Sequence, residues 1–216
     1  MKLKLFLLSA FFIVLFTHFS YTVAKENWQR IDFDTTVKVQ DHIPKKFDDN
    51  FSLLSLLGSV EVTVGFCLIM VALALIRLRW LAVVGWLIII PASAAEVFGK
   101  LILYHPGPPL FFHRTTLATH LPSFYITTEF SYPSGHMTRI VFIATVVFLS
   151  FFFSRINLLL KYTILLGILG LIFLMGLTRV SLGEHWLSDV LGGSLLGMAM
   201  GFFASGLILP TKKVIT

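Results

Sequence analysis

The chain has 216 residues, of which 56% are hydrophobic and 13% charged, and its mean hydropathy is +0.88. A soluble domain carries about 25% charged residues, so a soluble globular protein is excluded, and six apolar runs with short gaps leave no room for a soluble second unit. The net charge of +6 does not point to a nucleic-acid partner, because no folded soluble module presents a basic face. The lone cysteine, Cys67, lies inside an apolar run and can build neither an intramolecular disulfide nor a Cys-based zinc site.

In chain order, the first apolar run spans Leu5 to Phe19, behind Lys2 and Lys4. The following Thr22-Val23-Ala24 also resembles a signal-peptide cleavage site; a retained anchor is the preferred reading. The connection 21–52 comes next. Its Trp28, Ile31, Phe33, Val37 and Ile43 recur at roughly helical spacing, which predicts an amphipathic helix lying on the outer surface. Further runs follow at Leu53 to Ile76, Trp80 to Leu103, Met137 to Phe153, Leu158 to Leu177 and Trp186 to Leu209. Each can cross a bilayer, since a span needs about 17 to 25 residues. The expected architecture is an all-α bundle of six transmembrane helices, one integral-membrane domain over 1–216 with residues 53–209 as its catalytic core.

Basic residues give the direction. Lys2 and Lys4, Arg77 and Arg79, Arg155 and Lys161, and Lys212 and Lys213 mark alternate connections, which should be cytoplasmic. Both termini are then inside. The connection 21–52 argues weakly the other way, because it carries basic as well as acidic residues.

This topology gathers unusual polar residues at the outer face: Lys100 ending the third span, Ser134-Gly135-His136 opening the fourth, and Arg179, His185 and Asp189 around the start of the sixth. Ionisable groups so near hydrocarbon are costly and mark function. Pro133-Ser134-Gly135-His136 reads as a turn feeding a helix, with Ser134 as N-cap and the free N–H groups of the first turn forming an anion site. Lys100 and Arg179 would add fixed cations, and a phosphate is the natural guest. His185 and Asp189, four apart, share a helix face, where the carboxylate can hold one ring nitrogen and leave the other free to attack. His136 could protonate the leaving oxygen.

These residues resemble the type 2 phosphatidic acid phosphatase superfamily of integral-membrane lipid phosphatases. The family's second signature stands intact as Pro133-Ser134-Gly135-His136, and its third appears as Thr178-Arg179, five residues, His185, three residues, Asp189, with threonine in place of serine. The first begins at Lys100 but has Gly107-Pro108 where the family has Arg-Pro. The resemblance implies that His185 is the nucleophile of a phosphohistidine mechanism, that Asp189 orients it, and that His136 is the acid and then the base. It further implies that Lys100, Ser134, Gly135 and Arg179 hold the phosphoryl oxygens and that no metal or other cofactor takes part. Loss of a bidentate clamp at Gly107 would cost about 2 to 5 kcal/mol, or roughly 30- to 5,000-fold in rate. Arg139, three residues after His136 on the same helix side, and Arg114 in the loop are the candidates to replace it.

The expected function is hydrolysis of a phosphomonoester or diphosphate of a lipid, with phosphatidic acid, polyprenyl diphosphate and phosphatidylglycerol phosphate as candidates. The alternatives are a lipid phosphotransferase using the same intermediate, or a non-catalytic lipid-phosphate binder. The expected location is the cell membrane, multi-pass, with the active site on the extracytoplasmic face and membrane lipids as surroundings.

Several neighbouring residues have blander readings. His105, His113 and His120 are spaced by eight and seven residues, which fits no compact metal motif. Phe111, Phe112, Phe124 and Tyr125 suit a lipid entrance or an interfacial belt. Glu96, four before Lys100, should pair with it; Glu184 reads as exposed loop, and Glu61 as a lone carboxylate facing the bundle. Gly193, Gly197 and Gly201 suit close helix packing within the bundle more than dimerisation.

Overall fold

The computed structural model describes residues 1–115 and 130–210. His120, Phe124, Tyr125, Lys212 and Lys213 lie outside the described residues. The helices are α1 (Lys2–Ala24), α2 (Gln29–His42), α3 (Asp48–Ser55), α4 (Val60–Ile76), α5 (Trp80–Leu87), α6 (Ile89–Ile102), α7 (Gly135–Phe152), α8 (Leu158–Ser181) and α9 (Leu187–Ile208). Among the described residues six helical stretches are long and apolar enough to cross a membrane: α1, Lys45–Ile76, Trp80–Ile102, α7, α8 and α9. The protein is a multi-pass integral membrane bundle, as the hydropathy pattern predicts.

Two of the six spans are broken. The third divides into α5 and α6 at Ile88, because Pro91 has no N–H to donate and its ring crowds the carbonyl of Leu87 one turn earlier. The second divides at a 3-10 turn, Leu56–Gly58, after which Ser59 restarts the helix by accepting the Val62 amide on its hydroxyl (3.3 Å). Irregular backbone inside a membrane protein survives where it lines a polar cavity; the Gly58 carbonyl freed by this turn accepts Arg139 Nη2 at 3.2 Å.

The α7 and α9 helices form the centre, each with 56% of its apolar window buried. A stripe of glycines lets them approach. A Cβ at Gly193 would stand 2.4 Å from the Ser134 carbonyl oxygen, and one at Gly197 2.6 Å from that of Thr138, so the Gly-xxx-Gly repeat is consumed inside the bundle. Around this pair, Cys67, Trp86, Phe142, Ala204 and Ile208 form the main apolar core. Cys67 is ordinary packing there.

α1 lies along α9, with Phe12 stacked on Phe202 and the Ser9 hydroxyl donating to the Ala199 carbonyl (2.8 Å). The opposite end of α9 is held by Arg79 Nη2, which donates to the Ile208 carbonyl at 2.7 Å.

The connection after α1 folds as two helices, of which α2 is the one its spacing predicts, and α2 turns polar residues to the bundle. Asp32 and Thr36 are its buried positions, while Ile31 and Phe33 stay 48% and 47% exposed. The reason is polar. The Asp32 carboxylate accepts the Ser188 amide (2.8 Å) and hydroxyl (2.7 Å) at the start of α9, and Gln40 Nε2 donates to the carbonyls of Phe112 (2.7 Å) and Ser181 (2.9 Å). Four hydrogen bonds to groups that would otherwise be orphaned outweigh the transfer of two apolar side chains.

A leucine at Gly197 should therefore separate α7 from α9 and cost roughly 1 to 3 kcal/mol or more. Gly167 on α8 meets nothing within 4 Å and serves as the comparison. Thermal unfolding in detergent should fall markedly for Gly197→Leu and stay unchanged for Gly167→Leu.

Candidate active site

The polar segments singled out in the sequence meet at one end of the bundle. A cavity of about 1160 Å³ opens there, lined at its polar end by Lys100, His136, Arg139, Arg179, Glu184 and His185. Its other wall is apolar and descends along the second and third spans through Val64, Leu68, Val71 and Trp86.

His185 sits in the short turn between α8 and α9, where its own amide and that of Glu184 both donate to the Arg179 carbonyl (3.2 Å each). Its Nδ1 lies 3.1 Å from Asp189 Oδ2. That same oxygen accepts the Trp186 amide at 3.0 Å, so Asp189, in the first turn of α9, serves both as helix cap and as partner of the imidazole. The Nε2 nitrogen is left for the cavity, which His185 lines. Burial holds the His185 ring well below the ordinary imidazole range, and the nearby Arg179 and Lys100 charges push it further down. Neutral imidazole is the nucleophilic form.

His136 reaches the same cavity from the first turn of α7, where it makes no side-chain hydrogen bond to another described residue. The turn at Gly58 backs it; a Cβ there would come within 2.9 Å of the ring. Ser134 occupies the N-cap position of α7 but not in the expected manner. Its hydroxyl does not cap the helix and is buried without a partner among the described residues, while its amide donates to the Asp189 carbonyl (3.0 Å). That amide bond ties the start of α7 to the start of α9.

The cations of the cavity each face a carboxylate. Lys100 Nζ is 2.6 Å from Glu96 Oε1, the i,i+4 pair the sequence predicts, and Arg139 Nη1 is 2.9 Å from Glu96 Oε2. Glu96 also lies against the first residue of α7, where a Cβ on Gly135 would meet its Oε1 at 2.4 Å. A carboxylate thus stands where a helix start and two cations would receive a phosphate. Arg179 is bonded to Ser55 and to Glu184. Glu184 is thereby a partly buried partner of Arg179 rather than the exposed loop residue its position suggests.

The two candidates for the missing arginine part company. Arg139 is on the cavity wall. Arg114 is committed elsewhere: Nη1 donates to Ile43 O and Nη2 to Gln40 O, both at 3.1 Å, closing the C-terminal end of α2. It is not among the described residues that line the cavity. Gly107 itself does line it, and among the described residues a Cβ there would meet Ser131, its Cβ at 3.4 Å and its Oγ at 3.9 Å.

Sequence reasoning did not single out Asp32 and gave His105 only a rejected metal role. Both are buried behind Asp189. His105 Nε2 lies 3.4 Å from Asp189 Oδ1, 3.7 Å from Asp32 Oδ2 and 3.0 Å from Ser188 Oγ. Among the described residues no group of three or more His, Cys, Asp or Glu side chains is arranged so that it could hold a metal ion.

Arg139→Ala leaves Glu96 a buried carboxylate with Lys100 as its remaining ion-pair partner among the described residues, and breaking a buried pair on one side costs about 3 to 5 kcal/mol. The expected outcome is a large fall in thermal stability, recovered in good part by adding Glu96→Gln. Activity should not recover with it.

Comparison with known proteins places this end of the bundle in context. The model of the PAP2 superfamily matches residues 80–211, more than half of the chain. Phosphatidylglycerophosphatase B of Bacillus subtilis (strain 168) is 33% identical over 90 residues, 40% of this chain and 43% of that protein, so the match spans less than half the length of this curated relative. The crystal structure of a transmembrane PAP2 type phosphatidylglycerolphosphate phosphatase from Bacillus subtilis superposes with a TM-score of 0.67 at 18% identity, covering 92% of this chain and 94% of that one. The six-span helical fold is therefore shared. With the family model running from the third span to the end of the sixth, across Lys100, the Pro-Ser-Gly-His turn and the His185–Asp189 pair, this chain belongs to the PAP2 superfamily.

Proposed function

We propose that the protein is a membrane lipid phosphatase that releases phosphate from a phosphomonoester or diphosphate of a lipid through a phosphohistidine. The observation that carries this reading is the buried His185 Nδ1 contact with Asp189 Oδ2 at 3.1 Å, on a ring lining the cavity that His136, Lys100 and Arg179 share.

The proposed chemistry is a double displacement. His185 Nε2 attacks phosphorus, the bond from phosphorus to the lipid oxygen breaks, and His136 protonates the departing oxygen. Water then attacks the phosphohistidine, giving its proton to His136 as the P–N bond breaks. Asp189 holds the ring and offsets the charge it gains, as the carboxylate of a serine-protease triad does for its histidine. Lys100, Arg179, the amides at the α7 start and the Ser134 hydroxyl hold the phosphoryl oxygens, which supplies most of the rate enhancement. For the phosphate to reach Lys100 and Arg179 it must displace or share their Glu96 and Glu184 contacts.

The relative named a phosphatidylglycerophosphatase favours phosphatidylglycerol phosphate as the first substrate to try, ahead of phosphatidic acid and polyprenyl diphosphate. The proposed orientation puts Arg77, Arg79, Arg155 and Lys161 in the cytoplasm and the cavity at the extracytoplasmic face of the cell membrane.

Purified protein in detergent and EDTA, offered these three lipids, should release phosphate, and His185→Ala should lower the rate by at least 1,000-fold, on the order of what loss of a nucleophile costs. Turnover in His185→Ala near the wild-type rate would overturn the mechanism; phosphate passed to an added lipid alcohol with none reaching water would make the protein a transferase. Gly107→Arg should raise kcat/KM by roughly 10-fold or more by restoring a charge-assisted clamp at a position that lines the cavity.

A further inference from the structure

We infer that Asp32 on α2 and His105 on the loop after α6 are positioning residues of this active site, fixing Asp189 through a buried chain of polar contacts and making α2 part of the catalytic unit. The inference rests on the phosphohistidine reading above, since it concerns the carboxylate that holds His185.

The directions of the hydrogen bonds carry the argument. Asp32 Oδ1 accepts the Ser188 amide (2.8 Å) and Oδ2 accepts the Ser188 hydroxyl (2.7 Å). Having given its proton to Asp32, the Ser188 oxygen can only accept from His105 Nε2, 3.0 Å away. His105 must then carry its proton on Nε2, and that N–H faces Asp189 Oδ1 at 3.4 Å. An ionised Asp32 thus determines, two contacts away, that a positive N–H edge rather than a lone pair meets the Asp189 carboxylate. Asp189 uses its other oxygen for His185 and Trp186, so the 3.4 Å His105 contact, with the Ser131 hydroxyl, sets the polar surroundings of the oxygen that faces away from His185.

Protonation of Asp32 reverses the chain. The acid O–H would donate to Ser188 Oγ, the Ser188 hydroxyl would donate to His105 Nε2, and a nitrogen lone pair would then face Asp189 Oδ1. Other charged or titratable groups that face this chain are Glu26 from the turn before α2, Tyr132 beside the His105 ring, His185 and Asp189 from the α9 start, and Lys100 from α6. The Ser131 hydroxyl is a further polar contact of Asp189. Burial raises the Asp32 carboxyl to about 6 against the lowering effect of its two Ser188 bonds. A carboxyl raised in the folded state stabilises the fold most at low pH and gives up that stability as pH rises through about 6. The ionised form is thus retained near neutrality at a cost to the fold. Asp32 and His105 also line a second cavity, of about 310 Å³, which shares only Gly107 with the large one among its described lining residues and gives the chain a route for proton exchange.

The test compares Asp32→Asn, His105→Leu, their double variant and Gln40→Leu, each purified in detergent, with His185→Ala alongside, on whichever of the three lipids the wild type hydrolyses fastest. An asparagine places its amide N–H₂ toward Ser188 Oγ and so imitates protonated Asp32. The expected result is a kcat lowered roughly 10- to 100-fold in Asp32→Asn at pH 8, with KM little changed. The two kcat values should converge towards pH 5, because the variant lacks the part of the rise through about 6 that the wild type owes to ionisation of Asp32. His105→Leu should lower kcat similarly, and the double variant should be no worse than the worse single one, since the two act in one chain. Gln40→Leu, which removes another polar anchor of α2, should lower the unfolding temperature with kcat and pH profile kept. Wild-type kcat and an unshifted pH profile in folded Asp32→Asn would overturn the inference, and so would independent, multiplying losses in the double variant or an equal loss of kcat in Gln40→Leu. Residual turnover in His185→Ala would instead overturn the mechanism on which the inference stands.

Discussion

A completely buried carboxylate in the first turn of a membrane helix is the constraint on which the rest of this structure depends. Asp189 has no exposed surface, and a carboxylate kept from water is tolerable only when its oxygens find donors. The hydrogen bonds and the longer polar contact that meet it come from separate parts of the chain. His185 and Trp186 arrive from the turn after α8, His105 from the loop after α6, and the residue's own carbonyl binds the Ser134 amide at the start of α7. Satisfying one residue therefore brings together the three motif segments, which are otherwise distant in sequence.

The glycine stripe of α9 makes that meeting sterically possible. Only with the α7 backbone pressed against Gly193 and Gly197 can the Ser134 amide reach the α9 start. The same economy is seen at the edges of the site, where freed backbone groups become ligands for side chains. The broken second span offers the Gly58 carbonyl to Arg139, and the C-terminal carbonyls of α2 are taken by Arg114. Both arginines are thus structural ties first.

Much of this was legible in the sequence because it is local. Hydropathy runs locate all six spans, and four-residue spacing predicts both the Glu96–Lys100 and the His185–Asp189 contacts, the latter made from the turn before α9 and not along a shared helix face. What was not legible depends on distant partners. Asp32 looks like one of several acidic residues in a hydrophilic connection until Ser188 is placed against it. Arg114 and Arg139 are both candidates on paper, Arg139 the nearer by its spacing from His136, and the contacts to α2 commit Arg114 elsewhere. His105 was weighed as a metal ligand with His113 and His120, because spacing says nothing about a carboxylate on another helix. The Ser188 hydroxyl between two acidic residues gave no signal that periodicity or motif spacing could detect.

The large cavity changes character along its length, from a charged mouth at Lys100 and Arg179 to a dry wall of Val64, Leu68, Val71 and Trp86. An amphiphile in it can keep its chains in surroundings like those it leaves in the bilayer, so tail length carries little of the binding free energy and the head must supply discrimination. A water-soluble phosphate ester has no such tail to anchor it. Selection in a site of this shape acts first by partition between two phases and only then by recognition.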